Sequence, residues 1–204
     1  MRINPVHKIA FLDFETTGSH EGLRAVEIGL IALENGELVD EFNFLINPGC
    51  PIDPISQSVH GISDDDVCYA PGFAEIWDEL RPRLSGWIVA AHNAPFDSGV
   101  MKNEIIQNRL DPPEMEWWCT LKLARRLWKG RFRSFSLSHL VKTLGIEFPV
   151  THRARDDALA ARMLFDLLVD EALLQGYETL PDIRRLARHR GKGSWPWNYP
   201  GSCR

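Results

Sequence analysis

Apolar positions fall into short, tight runs near the start of the chain and into helical spacing further on. Residues 8–14 form a β-compatible apolar run, and residues 26–33 form a second. Asn35-Gly36 supplies a favoured two-residue hairpin turn. Beyond it Phe42, Phe44 and Ile46 alternate with Glu41, Asn43 and Leu45 until Asn47-Pro48-Gly49 ends the strand. Residues 51–71 mix prolines with Ser63-Asp64-Asp65-Asp66, which predicts short helical turns and loops, and Phe73, Ile76, Trp77, Leu80 and Leu84 then recur at helical spacing. A fourth strand is expected over 87–91, a helix near 96–108, a short strand around 115–119 and helices near 120–128 and 136–144. The last long helix is expected from about 155 to 174, with Leu159, Met163, Phe165, Leu167 and Leu168 as its apolar surface. Strands that precede and then alternate with helices predict an α/β fold.

A chain of 204 residues is long enough for one such domain with a self-sufficient core. The expected division is a domain over 1–175, followed over 176–204 by a C-terminal helix and a tail rich in Gly, Pro and Trp. Residues 191–201 cannot continue a helix, and the tail is expected to dock on the body or to serve as a partner-binding peptide. Lys and Arg total 23 against 28 Asp and Glu, a formal net charge of −5. Without a global basic signature, a nucleic-acid partner has to be held by a local patch and by metal ions. Cys50, Cys68, Cys119 and Cys203 lack the paired short spacing of a zinc or redox motif. Together with the lack of a cleavable leader or a span-length apolar run, this predicts a soluble cytoplasmic protein with no membrane partner.

Candidate chemistry falls in three separated clusters, Asp13-Phe14-Glu15-Thr16-Thr17-Gly18, His92-Asn93-Ala94-Pro95-Phe96-Asp97 and His152-Arg153-Ala154-Arg155-Asp156-Asp157. Asp13 and Glu15 sit two residues apart on a predicted strand, so both side chains leave the same face, roughly 6 to 7 Å apart. Two carboxylates at the end of a core strand are costly unless a cation or hydrogen bonds compensate them. A turn of small polar residues at Thr16-Thr17-Gly18 is expected to expose backbone N–H groups beside them. Asp97 follows a buried strand and Pro95, which places it in the first turn of a helix at the strand's carboxyl end, where α/β proteins put ligands. Taken alone, Asp97 and Asp157 read equally as partners of helix dipoles, and Asn93 as a turn residue bonded to its own backbone. If His152 and Asp157 were both helical they would point about 140° apart, so they share a site only if His152 lies in the loop before the helix.

Together the clusters resemble the three exonuclease motifs of the DEDDh family, the DnaQ-like 3′-to-5′ exonucleases. The resemblance covers about residues 8–168 and includes Val59-His60-Gly61-Ile62. It implies a ribonuclease H-like α/β fold, a mixed five-stranded sheet with helices on both sides. It further implies Asp13, Glu15, Asp97 and Asp157 as metal ligands and His152 as the general base. The third-motif spacing selects Asp157 over Asp156, and a histidine at 152 places the chain in the histidine branch. Cys119-Thr120 stands where relatives commonly show Asp-Thr. The pocket for the terminal nucleotide is expected from Phe14, Thr16, Thr17, His60 and Asn93. Two divalent cations, Mg²⁺ or Mn²⁺, are the expected cofactors, since carboxylates suit hard cations and a metal pair neutralises both ends of an in-line phosphoryl displacement. A histidine base predicts a rate that rises with pH through the imidazole range.

The expected function is removal of nucleoside 5′-monophosphates from single-stranded or frayed 3′ ends of DNA, in proofreading or repair. The alternatives are an exoribonuclease acting in RNA trimming and an inactive nucleic-acid-binding module. A DNA polymerase subunit and a second copy of the chain are further candidate partners. Lys122, Arg125, Arg126, Lys129, Arg131 and Arg133, interleaved with Trp128, Phe132 and Phe135, form a basic run suited to a phosphate backbone and to base stacking, or equally to a solvated helix face over core aromatics.

Overall fold

The computed structural model describes residues 7–18, 22–147 and 151–189. The tail over 191–201 lies outside the described residues. The strands are β1 (Lys8–Thr16), β2 (Ala25–Glu34), β3 (Glu37–Leu45), β4 (Ile88–Ala91) and β5 (Glu116–Cys119), joined in the order β3-β2-β1-β4-β5. β1 pairs antiparallel with β2, and β2 antiparallel with β3, whereas β1–β4 and β4–β5 are parallel. This is the mixed five-stranded sheet expected from the sequence. Asn35 and Gly36 carry φ values of 54° and 87°, the two positive angles that a tight hairpin turn demands.

The helices are α1 (Pro54–His60), α2 (Asp64–Val67), α3 (Phe73–Leu84), α4 (Ala94–Gln107), α5 (Thr120–Leu127), α6 (Leu137–Thr143), α7 (Ala154–Leu174) and α8 (Leu180–Ala187). None is long and apolar enough to cross a membrane. Alternation along β1 sends Ile9 and Phe11 into a core shared with Leu123, Leu164, Phe165 and Ile183, beneath α5, α7 and α8. It sends Ala10, Leu12 and Phe14 into the opposite core, shared with Trp77, Leu80 and Met101 of α3 and α4. Asp13 and Glu15 continue the parity of Ile9 and Phe11, so the two acids emerge on the α7 side.

The buried face of α7 matches in part the one its large apolar residues suggest, through Phe165 and Leu168. Leu159 and Leu167 are only partly buried, while the buried stripe runs through Ala154, Asp157, Ala158, Ala161, Leu164, Phe165 and Leu168. Alanines let the first turns of the helix lie close on the sheet. At the closest point stands Gly29 of β2, where an added Cβ would fall 2.2 Å from the backbone nitrogen of Arg155. Gly29 is the register partner of Asp13, so the start of α7 rests directly beside the first catalytic candidate.

Two buried acids fasten the flanking elements. Glu27, 1% exposed, receives Arg153 Nη2 at 2.7 Å and Nε at 3.0 Å, and the Ala154 backbone N–H donates to it at 3.0 Å. It satisfies an N-terminal amide of α7 that the Arg153 side chain cannot. Glu104 on α4 is fully buried and accepts both Arg24 nitrogens at 2.9 Å, the Ala25 N–H at 2.8 Å and Asn108 Nδ2 at 3.0 Å. In this way β2 holds both acid-bearing helices in place. Gly29→Ala is expected to cost about 3 kcal/mol, because the methyl group meets backbone that cannot rotate away. A urea unfolding midpoint equal to the parent's would contradict this close approach.

Candidate active site

Asp13 and Glu15 at the end of β1 meet Asp157 from the first turn of α7, and the three carboxylates place oxygens within 4.8 Å of one another. Asp97, 2% exposed, comes from the first turn of α4 and repels both Asp13 and Glu15. His152 lies just before α7 at φ 52°, in the left-handed region that few non-glycine residues adopt. From the loop, its Nδ1 stands 3.9 Å from Asp157 Oδ2. The geometric condition for a shared site is met.

The electrostatics of this cluster are unfavourable. Each fully ionised pair at such separations repels by roughly 3 to 4 kcal/mol at an effective dielectric of about 20. Burial first, then the neighbouring carboxylates of Asp97, Glu15 and Asp157, hold Asp13 well above the usual carboxylate range. Burial and Asp157 push Glu15 up to about 8. Burial pushes Asp97 up to about 8 against the backbone N–H groups of Asp97 and Phe14, and it raises Asp157 despite the opposing influence of His152. Asp97 Oδ1 and Asp157 Oδ1 are buried without a hydrogen-bond partner. Unsatisfied oxygens in an all-carboxylate set fit hard divalent cations, which take oxygen ligands and restore the ionised state.

The profile of the Exonuclease family matches residues 10–165. The chain belongs to this family. Its four acids, with a histidine five residues before the last, keep the order of motifs read from the sequence. It is 29% identical over 184 residues to the 3′-5′ exonuclease DinG of Bacillus subtilis, a match over 89% of this chain and 20% of that relative. It is 33% identical over 168 residues to exodeoxyribonuclease 10 of Escherichia coli, over 78% of this chain and 68% of the relative. The solved structure of exonuclease X in complex with 5′ overhanging duplex DNA matches with a TM-score of 0.63 at 29% identity, over 86% of this chain and 98% of that one. The chain spans less than a third of the length of several curated relatives, 20%, 28% and 13% of three of them.

Within this exonuclease framework the remaining candidates divide. Phe14 is 3% exposed and turns into the second core against Phe73, at 6.4 Å between ring centroids, away from the acids. Thr16 and Thr17 are also buried. The Thr16 hydroxyl donates to the Gly18 carbonyl and the Thr17 hydroxyl accepts the Arg24 N–H. The Thr17 N–H, expected to be open to a ligand, instead donates to the Arg24 carbonyl at 2.9 Å, because the loop closes on itself. His60 accepts the Ile62 N–H at Nδ1, so its Nε2 carries the proton and donates to the Thr16 carbonyl at 3.3 Å. It braces the same loop from behind. Asn93, at φ 80°, makes no side-chain cap bond to α4 and lines an open cavity instead.

The basic run also divides. Lys122 donates to the Arg188 carbonyl, Arg126 to the carbonyls of Arg185 and Leu186, and Arg131 pairs with Glu171. Trp128 is buried, with Nε1 donating to Glu171, and packs edge-on with Phe132, which packs in turn with Phe135. These groups fasten α5, α7 and α8 together, which the spacing of charges alone does not distinguish from a nucleic-acid grip. Sequence reasoning missed Glu27, Gly29, Arg153, Arg24 and Glu104. The available signals were an acid and a glycine inside an otherwise apolar strand.

Between an unfolded value near 4 and a folded value of about 8, Glu15 and Asp97 keep protons that the unfolded chain gives up, so their contribution to stability is lost as pH rises across that window. Buried His92, held down at about 4, contributes the opposite slope, but only below its unfolded value near 6.5. The metal-free protein is therefore expected to lose thermal stability from pH 6.5 to 8, and Mg²⁺ or Mn²⁺ is expected to raise Tm more at pH 8 than at 6.5. A Tm independent of pH and of cation would refute the electrostatic assignment.

Proposed function

We propose that the chain is a divalent-metal-dependent 3′-to-5′ exonuclease of DNA that releases nucleoside 5′-monophosphates. The observation that carries this reading is the meeting of the Asp13, Glu15 and Asp157 carboxylates beside a loop histidine, with Asp97 of α4 near enough to repel Asp13 and Glu15; Asp97 and Asp157 each keep a buried oxygen without a partner. In this reading residues 1–175 are the catalytic domain, and the C-terminal helix and tail over 176–204 are an addition to it. The choice of DNA is supported by similarity to exodeoxyribonuclease 10 and to a DNA-bound exonuclease structure.

Asp13, Glu15, Asp97 and Asp157 would hold the cations, whose chemistry is Lewis-acid neutralisation of the charge that builds on the phosphodiester. His152 accepts the proton of the attacking water, and its side chain is half-exposed, open to the substrate and to bulk proton exchange. Water oxygen bonds to phosphorus as the P–O3′ bond breaks, leaving a 3′-hydroxyl on the shortened strand and a 5′-phosphate on the released nucleoside. The strained backbone at His152 and the Glu27–Arg153 pair next to it fix where the imidazole stands.

Digestion of 3′-labelled and 5′-labelled single-stranded DNA and RNA with Mg²⁺ or Mn²⁺ is expected to release mononucleotides from the 3′ end of DNA. EDTA and Asp13→Ala are expected to abolish release. His152→Ala is expected to bind DNA but lose roughly 10² to 10⁴ in turnover. An undiminished rate in that variant would overturn the base assignment, and preferred release from RNA would transfer the reading to an exoribonuclease.

A further inference from the structure

The basic residues of α5 belong to two faces with different surroundings. Lys122 and Arg126, one helical turn apart, point to α8 and are used up on its backbone carbonyls. Leu121 and Arg125, also one turn apart, face a cavity of about 630 Å³ between the start of α4, α5 and the loop leading to α6. The lining includes His92, Asn93, Arg125, Arg133, Phe135 and Leu137, with no carboxylate among the lining residues. Among the described residues Arg125 and Arg133 have no ion pair or hydrogen-bond partner, in contrast to Arg126 and Arg131.

The cavity is held open by its own wall. His92 accepts the Thr120 hydroxyl at Nδ1 and donates from Nε2 to the Phe135 carbonyl, both at 2.9 Å, which pins the loop to β4 and α5. Burial, reinforced by Arg125, holds His92 down at about 4, so at neutral pH the charge in the cavity comes from the two guanidinium groups. Asn93, whose side chain makes no cap bond to α4, lines the cavity about one helical turn before Asp97, about 6 Å along the helix.

We propose that this cavity is the subsite for the polynucleotide backbone on the 5′ side of the scissile bond, with Arg125 and Arg133 as its phosphate-binding residues. The inference rests on the exonuclease reading above and names the path that substrate takes to the acidic centre. A strand whose terminal phosphodiester lies at Asp13 and Asp97 carries its next phosphates over Asn93 towards the two arginines. Guanidinium groups bind phosphate oxygens through paired N–H donors, while Leu121, Phe135 and Leu137 offer the sugars and bases an apolar surface. Phosphate contacts carry no sequence information, so the grip is indifferent to base identity. The path also separates the charges. The carboxylates face the scissile phosphate with their cations, and the only uncompensated positive groups of the cavity wait upstream. The second basic cavity, between α5 and α8, is a weaker candidate, because Lys122, Arg184, Arg185 and Arg188 there hold Glu116, Asp182 or backbone carbonyls.

The test compares the parent with Arg125→Gln/Arg133→Gln on two kinds of substrate. One is the p-nitrophenyl ester of thymidine 5′-monophosphate, which has no upstream phosphodiester, and the other is a series of oligodeoxynucleotides from two to ten residues. The loss in kcat/KM is expected to grow with length and to be at least about tenfold greater on the decamer than on the ester, mostly through KM. The slope of log KM against log salt is expected to become shallower by about 1 to 2. Arg125→Lys/Arg133→Lys should recover part of the loss. An equal loss on ester and decamer, or an unchanged length dependence and salt slope, would overturn the subsite. A parent that hydrolyses neither substrate would refute the exonuclease reading instead. In that case binding of a fluorescein-labelled decamer, weakened by the double substitution or unchanged by it, still decides for or against the two arginines.

Discussion

Mutual repulsion among buried carboxylates sets the terms for the rest of this molecule. Asp13, Glu15, Asp97 and Asp157 come from three elements and repel one another, and among the described residues no arginine or lysine pairs with them as Arg153 pairs with Glu27. A fold that gathers like charges at one point must fix the elements that carry them by contacts elsewhere. Here those contacts are Gly29 against the backbone of α7, Glu27 holding Arg153 and the Ala154 amide, and Glu104 holding Arg24 and the Ala25 amide. All three involve β2 or the residue just before it. The strand next to the one that bears Asp13 and Glu15 supplies the restraint, and core packing on both faces of the sheet offsets its cost.

The same arrangement explains why two different types of buried acid occur in one small domain. Glu27 and Glu104 each accept several hydrogen bonds, including a paired arginine, and serve as parts of the scaffold. Asp97 and Asp157 are buried but keep an oxygen without a partner. Incomplete satisfaction is what separates this candidate ligand site from the structural ion pairs. The distinction follows from hydrogen bonding, since burial alone does not make it.

Much of the sheet and of the acidic centre was legible in the sequence, because each rests on a local signal. Period-two runs, Asn35-Gly36 and helical spacing mark the elements to within a few residues. The parity of Asp13 with Glu15, the position of Asp97 after Pro95 and the requirement that His152 precede its helix all depend on short spacings. What the sequence hid depends on distant partners. Whether Arg126 faces solvent or the carbonyls of α8, and whether Thr16 turns its hydroxyl to a ligand or to Gly18, is decided by loop closure and by packing between helices far apart in the chain. Phe14 shows the limit most simply. Its place between two candidate metal-binding acids suggests contact with substrate, yet strand alternation turns its ring into the opposite core.

The balance between stability and charge can be measured with Asp97→Asn, a change of one buried oxygen to an amide of the same shape. The change replaces an oxygen that has no hydrogen-bond partner by N–H groups that can donate to the neighbouring carboxylates, and it removes one of the repelling charges. Without divalent cation at pH 8, the variant is expected to melt roughly 3 to 6 °C above the parent, about 1 to 2 kcal/mol, and to lose most of the stabilisation that Mg²⁺ or Mn²⁺ gives the parent. A variant that melts at or below the parent's temperature and still responds fully to the cation would show that the carboxylates neither strain the fold nor form a common cation site.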